Sequence, residues 1–130
     1  GSKIVILGCT YKPDIDDLRE SPIMDLVDLI KNDYNITIVD PFVAEYNVEL
    51  YTVAQDADLV VLGVHHNKFK EIDLARLAEA TKNAVWLDTR NFFTKEEIEE
   101  AGFEYHLLGL SDAPKGILRE AEREVAAVEE

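Results

Sequence analysis

The sequence is poor in cations and cysteine, and it has no long apolar run. It holds 13 Lys and Arg against 27 Asp and Glu in 130 residues, a formal net charge of −14. Such a surface repels nucleic acid and anionic membranes, so we expect neither as a partner. No apolar run approaches the roughly 18 residues of a membrane span, and no stretch has the pattern of a signal peptide. The single cysteine, Cys9, excludes an internal disulfide and is typical of a reducing compartment, so we expect a cytoplasmic protein.

The chain divides into three parts by composition. Gly1 and Ser2 are typical of a cloning remnant, residues 3–110 form one predicted domain, and residues 111–130 form a C-terminal helical tail. A chain that starts directly on a strand is expected to be a piece of a longer protein. The tail carries a narrow apolar stripe, which indicates either a helix that docks on a partner or a peripheral helix of this domain. The stripe consists of Ile117, Leu118, Ala121, Val125 and Val128.

Short apolar runs alternate with helical patterns along the predicted domain. The runs predict strands at Ile4–Leu7, Ile36–Val39, Leu59–Val64, Val85–Leu87 and Tyr105–Leu108, with a weaker one near Val48–Tyr51. Several runs are apolar throughout, which indicates strands buried on both faces of a parallel sheet. Right-handed crossovers then predict a doubly wound, mostly parallel, Rossmann-like α/β sheet with strand order 3-2-1-4-5-6.

Helix-capping residues mark the predicted helices. Ser21 followed by Pro22 predicts a helix start, and apolar residues then recur at helical spacing. Asp73 and Thr94 predict two further starts, and Gly102 predicts the end of the last helix. Residues 53–57 form a possible short helix.

Three cations are predicted at one edge of the sheet, where the strand order reverses. Lys12 and Arg19 follow the first strand, and Arg90 follows the strand at Val85–Leu87. Ligands of doubly wound sheets bind at this edge, so gathered cations indicate an anion, most simply a phosphate. The alternative is that each cation pairs with a neighbouring acid.

Other candidate sites are weaker. The dinucleotide fingerprint is absent, because Gly8 is followed by no second glycine, and Asp40 lies 32 positions after Gly8 where about 20 are expected. We therefore expect Asp40 to start a turn, and we expect no dinucleotide to be held by this domain alone. Cys9 could be a nucleophile or a small packing residue, and the second interpretation is favoured because no histidine is close in sequence. Trp86 is assigned to the core.

Two groups of residues have side chains of the types that bind metal ions. His65, His66 and Asp88 could bind a metal, but adjacent histidines on an extended segment point to opposite faces and chelate poorly. The remaining candidates are Asp14, Asp16 and Asp17, which could hold magnesium as the acids of a receiver domain do. A receiver also needs an acceptor aspartate after its third strand and a lysine after its fifth, and Asp88-Thr89-Arg90 does not fit that pattern. No metal site is predicted.

The segment GCTYKPDIDDLRESP, residues 8–22, closely resembles the signature of the nucleotide-sugar dehydrogenases, the family of UDP-glucose, UDP-N-acetylmannosamine and GDP-mannose dehydrogenases. Its DDLRESP part is most similar to the UDP-N-acetylmannosamine enzymes. Further matching motifs follow in order: Val39-Asp40-Pro41, Ala57-Asp58, His66-x-x-Phe69, Asp88-Thr89-Arg90-Asn91, Gly102-Phe103-x-Tyr105 and Gly109. The resemblance covers about residues 3–110.

The resemblance implies the C-terminal UDP-binding domain of a longer enzyme. It assigns Tyr11, Lys12 and Arg90 to the nucleotide sugar and Arg19 to NAD, which is bound mainly by an N-terminal domain. It places no catalytic residue in this chain, because the family's cysteine and its helpers belong to the N-terminal and central helical domains. The acids of the loop are expected to orient its cations.

The implied function of the longer enzyme is an NAD-dependent oxidation of the sugar C6 alcohol to a carboxylate for polysaccharide precursors. The isolated domain is expected to be inactive and monomeric, and the whole enzyme to be a homo-oligomer. The alternatives are a stand-alone nucleotide-binding module and a receiver-like regulatory module, both without catalysis.

Overall fold

A parallel sheet runs through residues 2–107, the part of the chain that this computed structural model describes. Its strands are β1 (Lys3–Leu7), β2 (Asn35–Val39), β3 (Leu59–Leu62), β4 (Val85–Asp88) and β5 (Glu104–Leu107). Within these residues the sheet has five strands in the order β2-β1-β3-β4-β5, and every neighbouring pair is parallel. The register places Ile6 between Ile38 and Val61. The predicted α/β class is confirmed.

Helices cover both faces of the sheet. They are α1 (Pro22–Ile30), α2 (Leu50–Val53), α3 (Leu74–Ala80) and α4 (Lys95–Ala101), with 3-10 turns at Ala44–Tyr46 and Asn67–Glu71. Alternate strand residues point to opposite faces. Ile4 and Ile6 therefore pack in the cluster that contains α1, whereas Val5 and Leu7 pack in the cluster of α3 and α4. The apolar runs are buried on both sides, as the sequence predicted.

The predicted helix caps are present. The Ser21 hydroxyl accepts the Met24 N–H at 3.3 Å, and the Asp73 carboxylate accepts the Arg76 N–H at 3.2 Å. Thr94 forms a capping box with Glu97, and Gly102 ends α4 at a φ of 113°. These local signals fix four of the helix boundaries.

The weak strand predicted near Val48–Tyr51 is wrong. This stretch leads into α2, whose first turn is stabilised by the Glu49 side chain accepting the Thr52 N–H at 2.6 Å. The short helix therefore lies at Leu50–Val53, not at residues 53–57. Without this strand, the predicted order 3-2-1-4-5-6 becomes the observed one. Leu108, Gly109 and the tail stripe lie outside the described residues.

The carboxyl ends of β1 and β3 meet closely at two glycines. A Cβ on Gly63 would lie 2.6 Å from the Gly8 carbonyl oxygen, and one on Gly8 would lie 2.7 Å from the Val64 carbonyl oxygen. Gly8 also has a φ of 86°, which other residues rarely adopt. At the point where the strand order reverses, the two backbones therefore approach each other without intervening side chains, and the loops after β1, β3 and β4 converge there.

Within residues 2–107, no helix has the length and apolarity needed to cross a bilayer.

Candidate functional site

The loop after β1 carries two predicted site residues side by side. Tyr11 and Lys12 are both exposed, and the Lys12 ammonium lies 5.7 Å from the centre of the Tyr11 ring. Lys12 forms no ion pair with any described acid, and its carbonyl oxygen accepts the Thr10 hydroxyl at 2.7 Å. The charge of Lys12 is therefore available to an anion in solution.

Arg19 is held differently. Its guanidinium donates to both carboxylate oxygens of Asp17, from Nε at 3.0 Å and from an Nη at 2.9 Å. Hydrogen bonds from Arg19 lower the pKa of Asp17 to about 2, so the carboxylate is ionised at neutral pH. The pair is exposed and worth little for stability, but it sets the direction of the Arg19 side chain. The expectation that a loop acid orients a loop cation holds for this residue.

Arg90 is positioned by the two residues before it. The Asp88 carboxylate accepts the backbone N–H groups of Arg90 and Asn91, each at 2.8 Å, and so tightens the turn after β4. The Thr89 hydroxyl donates to the Leu62 carbonyl oxygen at 2.6 Å, which ties this turn to β3. The Arg90 Nε then donates to the Gly63 carbonyl oxygen at 3.1 Å. The Asp-Thr-Arg motif thus directs a guanidinium toward the point where β1 and β3 end.

The charge of Arg90 has no acidic partner among the described residues. Its side chain is partly buried, and burial lowers its pKa because the guanidinium loses hydration. The alternative that the three cations pair with neighbouring acids therefore applies to Arg19, and not to Lys12 or Arg90. A half-buried, unpaired guanidinium favours binding of an anion that can accept its Nη donors.

Cys9, Asp40 and His66 form a buried polar cluster under the β1 loop. Asp40 Oδ2 accepts the Cys9 N–H at 2.9 Å and lies 3.0 Å from His66 Nε2, while Oδ1 accepts the Phe42 N–H at 2.9 Å. Burial raises the pKa of the Asp40 carboxyl, but the hydrogen bonds from His66, Cys9 and Phe42 outweigh it, so the net shift is downward. Asp40 starts a turn, as predicted, and it also anchors the loop.

Cys9 is unsuited to nucleophilic chemistry. Its side chain is fully buried, and burial together with the Asp40 charge raises its pKa to about 12. The thiol stays protonated at neutral pH, whereas a nucleophilic cysteine acts as the thiolate. The packing interpretation of Cys9 is thus the one that fits the structure.

The candidate metal ligands do not converge. His66 points to Asp40, whereas the ring of His65 lies 5.7 Å from that of Phe92 and its pKa is lowered by burial and by the charge of Arg90. Asp14 and Asp17 bind Asn67 and Arg19 respectively. Over residues 2–107, no three His, Cys, Asp or Glu side chains are grouped so that they could hold a metal ion.

Two clefts lie on the described part of the chain. A cleft of about 410 Å³ lies between α2 and α3, and another of about 200 Å³ lies beside the end of β2. Neither is lined by Lys12, Arg19 or Arg90. These two clefts therefore lie apart from the predicted cations.

The contacts of three buried residues that build this edge were not found by sequence reasoning. Asp40, His66 and Asp88 are each fully buried and polar, and each holds a loop at the carboxyl end of a strand. Their motifs matched the family signature, but the sequence does not show that residues 26 to 52 positions apart are in contact. A signal that could have marked two of them is an aspartate at the end of a buried strand, which occurs at Asp40 and at Asp88.

Comparison with known proteins agrees with the resemblance seen in the sequence. Residues 5–95 match the model of the UDP-glucose/GDP-mannose dehydrogenase family, UDP binding domain. The UDP-glucose 6-dehydrogenase of Rhizobium meliloti is 33% identical over a match that covers 86% of this chain and 28% of that protein. The UDP-N-acetyl-D-mannosamine dehydrogenase of Methanococcus aeolicus is 32% identical over 82% of this chain and 26% of that protein.

A solved structure shows the same fold. The UDP-D-ManNAc dehydrogenase of Pyrococcus horikoshii superposes with a TM-score of 0.73 at 27% identity, over 86% of this chain and 26% of that chain. The chain thus spans about a quarter of the length of the relatives that it matches. On the match over residues 5–95, the chain belongs to the UDP-glucose/GDP-mannose dehydrogenase family and carries that family's UDP-binding domain.

Proposed function

We propose that this chain binds the UDP part of a nucleotide sugar at the carboxyl ends of β1 and β4. The observation that carries the proposal is Arg90, whose partly buried guanidinium is held by Gly63 and forms no ion pair with a described acid. Lys12 supplies a second free charge from the β1 loop, and Tyr11 supplies a ring next to it. A diphosphate can accept from both cations, and the ring can pack against the ligand.

The longer enzyme is proposed to oxidise the C6 alcohol of the sugar to a carboxylate for polysaccharide precursors, in the cytoplasm. NAD, when bound, accepts the hydride in that chemistry. The residues of this chain do not fit NAD alone, because the loop after β1 is long and lacks the glycines that let a backbone approach a pyrophosphate. Arg19, which is exposed and oriented by Asp17, is the residue that we assign to NAD held by the rest of the enzyme.

The chain by itself is expected to reduce no NAD with UDP-glucose or UDP-N-acetylmannosamine. The reason is that Cys9, its one cysteine, is buried and protonated, and that no dinucleotide fingerprint is present. The measurement is NADH absorbance at high protein concentration. Absorbance that rises above the blank would contradict this prediction.

UDP binding tests the proposed function directly. We expect a titration with UDP, followed by backbone amide shifts in NMR, to move residues 8–20 and 88–92 most strongly. The larger cleft, lined in part by Tyr51 and Arg76, is a built-in comparison, because it also offers a cation and an aromatic ring. Shifts concentrated at residues 51–55 and 76–80 would place the ligand there and overturn the assignment.

A stand-alone nucleotide-binding module is the second candidate function. It shares this site, and it would be favoured if the native gene carried no dinucleotide-binding domain upstream of Lys3. The receiver-like alternative is weaker, since Asp14 and Asp17 are already engaged by Asn67 and Arg19. We propose that the isolated chain is a monomer and that the N-terminal NAD-binding and central helical domains are its partners in a homo-oligomeric enzyme.

A further inference from the structure

We infer that His66 is a positioning residue for the nucleotide site and that its unprotonated Nδ1 holds the β1 loop in the conformation that presents Lys12. The inference rests on the proposed function for its consequence in binding, and on geometry alone for the contact. Residues 8–20 form no helix or strand, so this loop depends on contacts with the rest of the domain. His66 and Asn67, which follow β3, both contact Asp14 in the middle of the loop.

The geometry of His66 fixes the position of its proton. Nδ1 accepts the Asp14 backbone N–H at 2.7 Å, and Nε2 lies 3.0 Å from Asp40 Oδ2. A backbone N–H can only donate and a carboxylate only accepts, so the neutral ring carries its proton on Nε2. The ring is fully buried, with centroid distances of 4.6 Å to Phe42 and 5.4 Å to Phe69. It therefore has no room to turn over and exchange the two nitrogens.

Asn67, the residue after His66, also holds Asp14 in place. Its carboxylate accepts the Asn67 backbone N–H at 2.8 Å and the Asn67 side-chain amide at 2.7 Å. Asp14 has a φ of 61°, a left-handed conformation that is uncommon for residues other than glycine, although aspartate adopts it more often than most. His66 and Asn67 together thus hold the backbone and the side chain of Asp14, two residues beyond Lys12.

Protonation of His66 would break this arrangement. A proton on Nδ1 would face the Asp14 N–H, which also donates, at a distance of 2.7 Å. The nearest carboxylate to Nδ1 is that of Asp14, with Oδ1 at 4.0 Å, so a proton on Nδ1 reaches an acceptor only if the loop moves, while Nε2 stays paired with Asp40. The other groups that face the ring are the Asp40 carboxylate, the Thr10 hydroxyl at 3.4 Å and, beyond Asp40, the Cys9 thiol. The neighbouring His65 adds a charge only when it is protonated.

The consequence is a binding site whose affinity for its ligand falls in acid. A neutral His66 holds Asp14, and hence Lys12, in place. A protonated His66 loses its hydrogen bond with the Asp14 backbone N–H and is attracted to the Asp14 carboxylate instead. Loss of one hydrogen bond that orders the loop corresponds to about a threefold to tenfold loss of ligand affinity. Arg90 is unaffected, because its contacts are to Gly63 and the β4 turn. Binding is therefore weakened and not abolished.

The experiment is an NMR pH series from about 8 to about 5, the range over which imidazoles take up a proton. The ligand-free chain is followed at the His66 ring nitrogens and the Asp14 amide. UDP-glucose is then titrated at each pH, since each of its phosphates carries one ester and one anhydride bond and stays ionised throughout. The variant His66→Asn places an acceptor near the Nδ1 position and does not titrate. The matched control is His65→Asn, which removes the neighbouring imidazole.

We expect the Asp14 amide shift to follow the His66 ring with one midpoint, and the affinity of the wild type and of His65→Asn to fall threefold to tenfold over that midpoint. His66→Asn should bind with an affinity that is constant in pH. If the Asp14 amide shift of the wild type does not follow the His66 ring signals, the inference is overturned. This result does not depend on whether His66→Asn folds, because it is measured on the wild type alone. If UDP-glucose fails to bind at any pH, the proposed function is refuted instead. The Asp14 amide shift of the ligand-free chain still tests the contact between His66 and Asp14.

Discussion

Replacing Asp40 by alanine is expected to cost this domain roughly 3–5 kcal/mol of unfolding free energy, because three buried donors lose their acceptor at once. The carboxylate accepts from the Cys9 and Phe42 backbone N–H groups and from His66 Nε2, all within 3.0 Å. A buried donor without a partner costs about 1–3 kcal/mol. In a domain of this size that loss corresponds to a melting temperature lower by about 15 °C or more, measured by circular dichroism.

Asp33→Ala is the matched control for this variant. Asp33 is exposed at the end of α1, and its carboxylate makes no described hydrogen bond, so its removal should stay within about 0.5 kcal/mol. Both variants change the net charge equally. If Asp40→Ala melted within about 3 °C of the control, water would be satisfying the three donors, and the anchoring role of Asp40 would be wrong.

The same carboxylate gives a pH dependence whose sign is fixed. Hydrogen bonds lower the pKa of Asp40 in the folded state, so folding favours the ionised form. Its contribution is present above the unfolded value of about 3.9 and is lost as the pH falls through the lower folded value. The difference in stability between wild type and Asp40→Asn should therefore shrink in acid. Urea unfolding of both proteins at neutral pH and near pH 3 measures it.

The fold could be predicted where its cause is local. Ser21, Thr94 and Gly102 each act on a helix terminus within a few residues, and the structure places them as caps. The stretch at Val48–Tyr51 was misassigned because its branched and aromatic residues favour a strand, while Glu49 stabilises a helical turn. One side-chain cap was enough to outweigh that preference.

The sequence could predict which residues lie at the site, but not the contacts that hold its loops in place. Switch-point topology put Lys12 and Arg90 on one edge of the sheet. The nearby acids suggested that a loop cation would pair with a loop acid, and in the structure Arg19 pairs with Asp17. The contacts of His66 with Asp40 and Asp14 depend on which strands are neighbours and on how their loops cross. Such contacts appear only when the chain is folded, since no rule of spacing connects residues so far apart.

Arg90→Ala is expected to weaken UDP binding by roughly tenfold to a hundredfold, because a hydrogen bond to a charged partner is worth about 1.5–3 kcal/mol. Arg90 is partly buried and has no acid to satisfy it, so a bound phosphate replaces lost hydration instead of competing with an existing ion pair. Arg19→Ala should matter less, since Arg19 already donates two hydrogen bonds to Asp17 and is assigned to NAD. Titrations of wild type and both variants, followed by amide shifts, give the three affinities.

Two controls separate the local contact from the charge of the whole molecule. Arg76→Ala changes the net charge by the same amount, but Arg76 packs on the Tyr51 ring at 4.0 Å, away from the site, so it should bind UDP like wild type. Arg90→Lys keeps the charge but cannot donate as a planar fork, and it should bind with intermediate affinity.

The net charge of −14 repels a dianion at long range. Salt screens that repulsion, but it also weakens the local contacts, so the affinity for UDP should depend only weakly on salt concentration. If Arg19→Ala reduced affinity more than Arg90→Ala, the roles of the two arginines would be reversed.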